Sequence, residues 1–163
     1  MRRLILMRHA KSSWDSPTLS DHDRPLNGRG QRSATALGSW LQANSLAVDE
    51  ALVSDATRTR QTMAGLGLNL SPQFLAELYH AGPEIMFETL RAATGSCILM
   101  IGHNPGIAEF AAMMVRNAPD HHRFFDYPTG ATLVADFDIE TWTDLMPSSG
   151  QTVAFVIPRE LLE

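Results

Sequence analysis

Apolar residues in this chain gather in short continuous runs. Leu4–Met7 (LILM), Ala51–Ser54 and Cys97–Ile101 (CILMI) are too short for helices and break off into polar residues, as strands buried on both faces do. Thr132–Phe137 and Val153–Ile157 read as two further strands, separated by a polar turn region around Pro147–Gly150. Between the runs the period becomes helical. Ala34, Leu37, Trp40 and Leu41 follow a candidate N-cap at Asn27 and predict a helix to about Ala43. Gly28 and Gly30 weaken its first turn, or else admit another backbone at close range. Thr57–Leu66 is a predicted helix ended by Gly65 and Gly67. Pro83 at the N1 position and Gly95 beyond the end predict a helix over Glu84–Ala93. Asn104 and Pro105 form an N-cap and N1 pair for a helix to about Val115. Phe74–Leu75 is a brief strand or a buried loop, and Lys11–Pro25 and Asn117–Gly130 are loops. Trp40 and Phe110 are expected in the core.

Short apolar strands joined through helices predict an α/β fold: a mostly parallel central sheet with helices on both faces. At 163 residues, with no repeat, low-complexity tract or linker, a single domain over 1–163 is expected.

Composition narrows the partners. Hydrophobic residues make up 44% and charged residues 19%, as in soluble globular chains. A net charge of −5 argues against nucleic acid or an anionic membrane as the main partner. No run approaches the roughly 18 apolar residues of a membrane span. The N-terminal apolar run is too short, and too soon interrupted by charge, for a signal peptide. The one cysteine, Cys97, lies in an apolar run and reads as a small buried hydrophobe; with no internal disulfide, a cytoplasmic location is expected.

Chemistry concentrates where ligands bind in such sheets, beyond the carboxyl ends of the strands. Arg8 and His9 follow the first strand. SDATRTRQT, with Arg58 and Arg60, follows the second. Gly102, His103, Asn104 and Pro105 follow the Cys97 strand. Two histidines and at least two arginines converge with few carboxylates, which describes an anion pocket. The helix starting at Asn104 adds free N–H groups to it. Paired guanidinium donors favour phosphate. No glycine-rich nucleotide loop is present, so no nucleotide cofactor is expected. No carboxylate or cysteine cluster adjoins the histidines, so no metal is expected. An imidazole remains as the nucleophile toward phosphorus. His9, at a strand end before a loop, is assigned that role. His103, just before a helix N-terminus, is assigned as a phosphate ligand, with the arginines and Asn104 also binding phosphate.

These motifs carry a resemblance. LILMRHAKS is similar to the arginine–histidine signature of the histidine phosphatase superfamily, SDATRTRQT to its second motif and LMIGHNPG to its third. DRPLNGRG, PTGA and VIPRE resemble the short bacterial branch, the phosphohistidine phosphatases of SixA type. The resemblance implies a phosphoglycerate-mutase-like fold with minimal insertions and a cofactor-independent phosphatase. It implies a phosphohistidine intermediate on His9, with Arg8, Arg58 rather than Arg60, and His103 around the phosphoryl group. Larger members carry a glutamate proton donor; the one nearby candidate here is Glu77, in LAELYHA. Without such a donor, phosphohistidine in proteins is the expected substrate, because imidazole leaves with less help than an alkoxide. With it, small phosphomonoesters become plausible. Phosphoryl transfer between hydroxyls and non-catalytic phospho-ligand binding are the competing readings. Arg60 reads as solvated or paired. Arg24 reads as the partner of a loop aspartate or a support of the pocket. His80 reads as a surface histidine or part of the entrance, and His22, His121 and His122 as surface histidines.

Overall fold

The computed structural model describes residues 1–162. Six strands form one sheet in the order β3-β2-β4-β1-β5-β6. They are β1 (Arg2–Arg8), β2 (Glu50–Ser54), β3 (Gln73–Leu75), β4 (Cys97–Gly102), β5 (Thr132–Phe137) and β6 (Gln151–Val156). β1, β2, β3 and β4 run parallel. β5 pairs antiparallel with β1, and β6 antiparallel with β5 at the sheet edge. The helices are α1 (Gly28–Ala43), α2 (Thr57–Leu66), α3 (Pro83–Arg91), α4 (Gly106–Met114) and α5 (Pro158–Leu162).

Side chains alternate across a strand, so each apolar run feeds two cores. Leu4 and Leu6 of β1, with Ile98 and Met100 of β4, pack against Met86 and Leu90 of α3 and Ile107 and Phe110 of α4. Ile5, Met7, Leu99 and Ile101 pack on the other face against Leu37 and Leu41 of α1 and Met63 and Leu66 of α2. The central strands are continuously apolar because both faces are covered. Fully burying one such side chain contributes about 1.5–3 kcal/mol. This two-sided core makes β1, β2 and β4 rigid supports for whatever follows them.

Asn27 caps α1, its Oδ1 accepting from the Gly30 N–H at 2.8 Å. Gly30 serves close approach: a Cβ there would stand 2.0 Å from the Lys11 carbonyl oxygen. β3 is a short edge strand, settling Phe74–Leu75 as strand. α4 starts later than its sequence suggests. Asn104 does not cap it, and Pro105 stands at the N-cap position with no side-chain cap bond. Gly106 lies against the Ala81 carbonyl, where a Cβ would come within 1.8 Å. The Asn104 amide turns instead to the carbonyls of Asp126 and Tyr127, at 2.9 and 3.1 Å. α3 ends at Arg91, before Gly95, and α5 is a terminal helix the apolar pattern did not mark.

Candidate active site

A cavity of about 270 Å³ opens at the carboxyl ends of β1, β2 and β4, with Arg8, His9, Arg58, His103 and Asn104 in its lining. The residues expected to surround a phosphoryl group are therefore brought together from three chain regions. Arg24, His80 and Asp21 line the same cavity.

His9 is 5% exposed and His103 2%. The His9 Nδ1–H donates to the Ala10 carbonyl at 2.7 Å, which fixes the tautomer and leaves Nε2 with its lone pair. The backbone around it is tied down: the His9 N–H donates to the Gly102 carbonyl, and the Gly130 N–H to the His9 carbonyl. The Thr62 hydroxyl links this turn to α2, accepting from the Ala10 N–H and donating to the Arg58 carbonyl. Burial, together with Arg8, Arg58 and Arg24, pushes the His9 imidazole down to about 3. Burial, then His9, Arg58 and His80, push His103 down to about 2. Both rings, 5.3 Å apart between centroids, are neutral at physiological pH.

His103 Nε2 lies 2.8 Å from the Ser54 hydroxyl, at the end of β2. Among the described residues, His103 Nδ1, Arg8 Nε and Arg58 Nε are buried with no hydrogen-bond partner. Arg8 is anchored by one bond, Nη1 to the Tyr127 carbonyl at 3.1 Å. Burial and the neighbouring Arg58 lower the Arg8 pKa, yet a guanidinium stays charged at neutral pH. Four cationic side chains, Arg8, Lys11, Arg24 and Arg58, together with unpartnered donors, suit an anion with several oxygens.

The loop between β1 and α1 closes over one side. Its ends are stapled by an isolated bridge between Ser12 and Leu26. Arg24 stacks on the Trp14 ring at 3.5 Å and donates to the Ser12 hydroxyl at 2.8 Å. It also meets Asp21 at 3.2 Å, so both sequence readings of Arg24 hold at once. Asp21 further accepts from Arg58 Nη2 at 3.0 Å and the Tyr79 hydroxyl at 2.6 Å. Burial raises the Asp21 pKa, but these donors outweigh it and hold the carboxyl well below its usual range. His80 stands 3.2 Å from the same carboxylate.

The model of the histidine phosphatase superfamily, branch 1, matches residues 4–80. Phosphohistidine phosphatase SixA of Escherichia coli K12 is 30% identical over 118 residues, covering 68% of this chain and 72% of its own. This chain belongs to the histidine phosphatase superfamily. An uncharacterised protein of Mycobacterium tuberculosis is 35% identical over 160 residues, with 94% of this chain and 100% of that one covered. A solved chain assigned to SixA from Nakamurella multipartitia has a TM-score of 0.86 and 31% identity, covering 96% of each chain. The likeness is to SixA-type members, and the mixed six-stranded sheet is the phosphoglycerate-mutase-like fold of the superfamily.

Glu77, expected at the pocket as proton donor, is not there. It is exposed on the turn Ala76–Leu78 and lines a different cavity, beside Glu50 and Glu88. Ala76–Leu78 is a single 3₁₀ turn closed by the Tyr79 N–H, so residues two apart point to different sides, and Tyr79 rather than Glu77 reaches Asp21. Asn104 lines the pocket, with its side-chain amide donating to the Asp126 and Tyr127 carbonyls. Arg60 donates to the Asp55 carbonyl and covers the Phe74 ring. His22 pairs with Asp55 and His121 with Glu160. Ser54, Asp21 and Tyr79 were missed. Ser54 had a signal, being the last residue of an apolar strand whose end delivers Arg58. Asp21 and Tyr79 meet across 58 residues of chain with no local pattern to announce it. Among the described residues, no group of three or more His, Cys, Asp or Glu could hold a metal ion, and no helix is long and apolar enough to cross a membrane.

Proposed function

We propose that residues 1–163 form one catalytic domain, a cofactor-independent phosphatase that acts through a phosphohistidine on His9 and takes phosphohistidine in cytoplasmic proteins as substrate. The observation that carries this reading is the bond from His9 Nδ1–H to the Ala10 carbonyl. It leaves a neutral, buried Nε2 as the attacking atom in a cavity lined by arginine.

In the first step Nε2 attacks phosphorus and the P–Nε2 bond forms. The bond to the leaving nitrogen breaks, and a substrate imidazole protonated on its other nitrogen departs neutral. In the second step water attacks phospho-His9, inorganic phosphate leaves and His9 is regenerated. Arg8 and Arg58 neutralise the phosphoryl oxygens through both steps. Ser54 donates its hydroxyl proton to His103 Nε2, so that His103 presents Nδ1–H to a third oxygen.

The substrate class follows from proton supply. His9 and His103 are neutral, Asp21 is held ionised, and Glu77 lies in another cavity. None is a ready acid for an alkoxide, whereas imidazole needs little help. The likeness to E. coli SixA, named a phosphohistidine phosphatase, supports the same choice. Turnover of a phosphohistidine protein and of simple phosphate monoesters, compared side by side, tests it. A kcat/KM at least about tenfold higher on phosphohistidine is expected. Equal or better turnover of monoesters contradicts it.

A further inference from the structure

A second cavity, of about 230 Å³, adjoins the pocket and shares Lys11 and Thr129 with it. Its floor includes Ser33, Pro128, Ile157 and Pro158, and Lys11, Arg29, Arg123 and Arg159 stand around it. No Asp or Glu lines it among the described residues. Four of the chain's 13 lysines and arginines thus meet in one groove, on a protein of net charge −5. Three more, Arg8, Arg24 and Arg58, line the pocket it runs into. Arg123 is partly neutralised by Asp126, at 2.9 Å. Glu160, next to Arg159, is turned away to His121 and the Ile157 N–H. Among the described residues, the side chains of Lys11 and Arg29 have no hydrogen-bond or ion-pair partner. The catalytic reading does not use this groove.

We propose that the groove binds acidic residues flanking the phosphorylated side chain of a protein substrate. The proposal rests on the phosphatase reading for what fills the pocket. Two features point to polypeptide carboxylates rather than a second phosphate. A phosphate site gathers convergent donors, often backbone N–H groups, around one centre. Here the cations come from four chain segments, and Lys11, Arg29 and Arg159 are exposed. Exposed, spread cations suit several carboxylates along an extended segment. The contiguity through Lys11 and Thr129 places that segment next to the group whose phosphoryl enters the pocket.

The test uses the full chain and two synthetic peptides carrying a non-hydrolysable phosphonate analogue of phosphohistidine. One has Asp and Glu around the analogue, the other Asn and Gln. Fluorescence anisotropy is expected to show about tenfold tighter binding of the acidic peptide, a preference that fades with added salt. Reversing two rim charges together, Arg29→Glu with Arg159→Glu, removes the preference. Binding of the neutral peptide stays within about twofold, which also reports that the variant is folded. Equal affinity of the wild type for both peptides, or a preference that survives the double reversal, overturns the proposal. So does a double reversal that weakens inorganic pyrophosphate more than the acidic peptide, since that marks a second phosphate site. Turnover of a true phosphohistidine peptide is read in parallel. Preference without turnover removes the phosphatase reading and leaves the groove; turnover without preference does the reverse.

Discussion

Arg58 and Asp21 hold one another across the mouth of the pocket, with Nη2 on the carboxylate at 3.0 Å and Nη1 on the Asp21 carbonyl at 2.6 Å. Both terminal nitrogens of the guanidinium proposed to bind phosphate thus contact Asp21. An incoming phosphoryl group meets a carboxylate already in contact with its own ligand. Asp21→Asn keeps the shape and removes the charge. It should tighten competitive inhibition by inorganic phosphate by about three- to tenfold, as loss of one partly screened repulsion implies. Unchanged or weaker inhibition in that variant contradicts the relationship.

Glu77 is exposed on a turn facing another cavity. Glu77→Gln should therefore leave kcat and KM within about twofold on both phosphohistidine and monoester substrates. A selective loss of monoester turnover would restore Glu77 as the proton donor.

Ser54 is fully buried, and its hydroxyl is bonded to His103 Nε2. Ser54→Ala leaves that nitrogen without its donor and frees the ring to change tautomer. Outer partners of this kind orient a working imidazole. Turnover should fall by about tenfold, with a smaller change in inhibition by inorganic phosphate. Ser54→Thr, which retains the hydroxyl, should recover part of the loss. If both variants lose activity equally, packing and not the hydroxyl is responsible.

Both pocket histidines have folded-state pKa values, about 3 and about 2, below the ordinary value near 6.5. Below 6.5 the unfolded chain binds protons that the folded chain refuses. Stability is therefore full above about pH 6.5 and lost as pH falls toward those values. The depressed Asp21 carboxyl adds a loss of the same sign at lower pH, as the solution falls below the ordinary carboxylate range. Melting temperature should drop between pH 7 and pH 4.5 (about two units across the histidine window), and His103→Asn should flatten that drop. A wild-type melting temperature flat across the window contradicts the burial argument.

The pocket was legible where it hangs on strand ends. LILM, ALVS and CILMI are apolar on both faces because two helical layers cover them, so their ends could be placed and Arg8, His9, Arg58 and His103 followed. What could not be read were contacts between irregular segments. Asn104 has the chemistry of an N-cap, but the loop at Asp126 and Tyr127 takes its amide, and the helix waits for Gly106, the residue small enough to lie on the Ala81 carbonyl. Glu77 and Tyr79 lie in and just after a single 3₁₀ turn that no capping or apolar pattern announces, so chain position did not tell which one turns toward the loop holding Asp21. Asp21 itself sits in a polar stretch like many surface loops, and only its three donors mark it.

His9 Nε2 is the atom proposed to take the phosphoryl group. The direct measurement is phosphorus NMR of the protein, trapped with substrate and denatured in alkali, beside His9→Ala treated identically. An acid-labile, alkali-stable Nε2-phosphohistidine signal is expected in the wild type, with signal and turnover both absent from His9→Ala. Phosphorylation at Nδ1, or full turnover by His9→Ala, would contradict it.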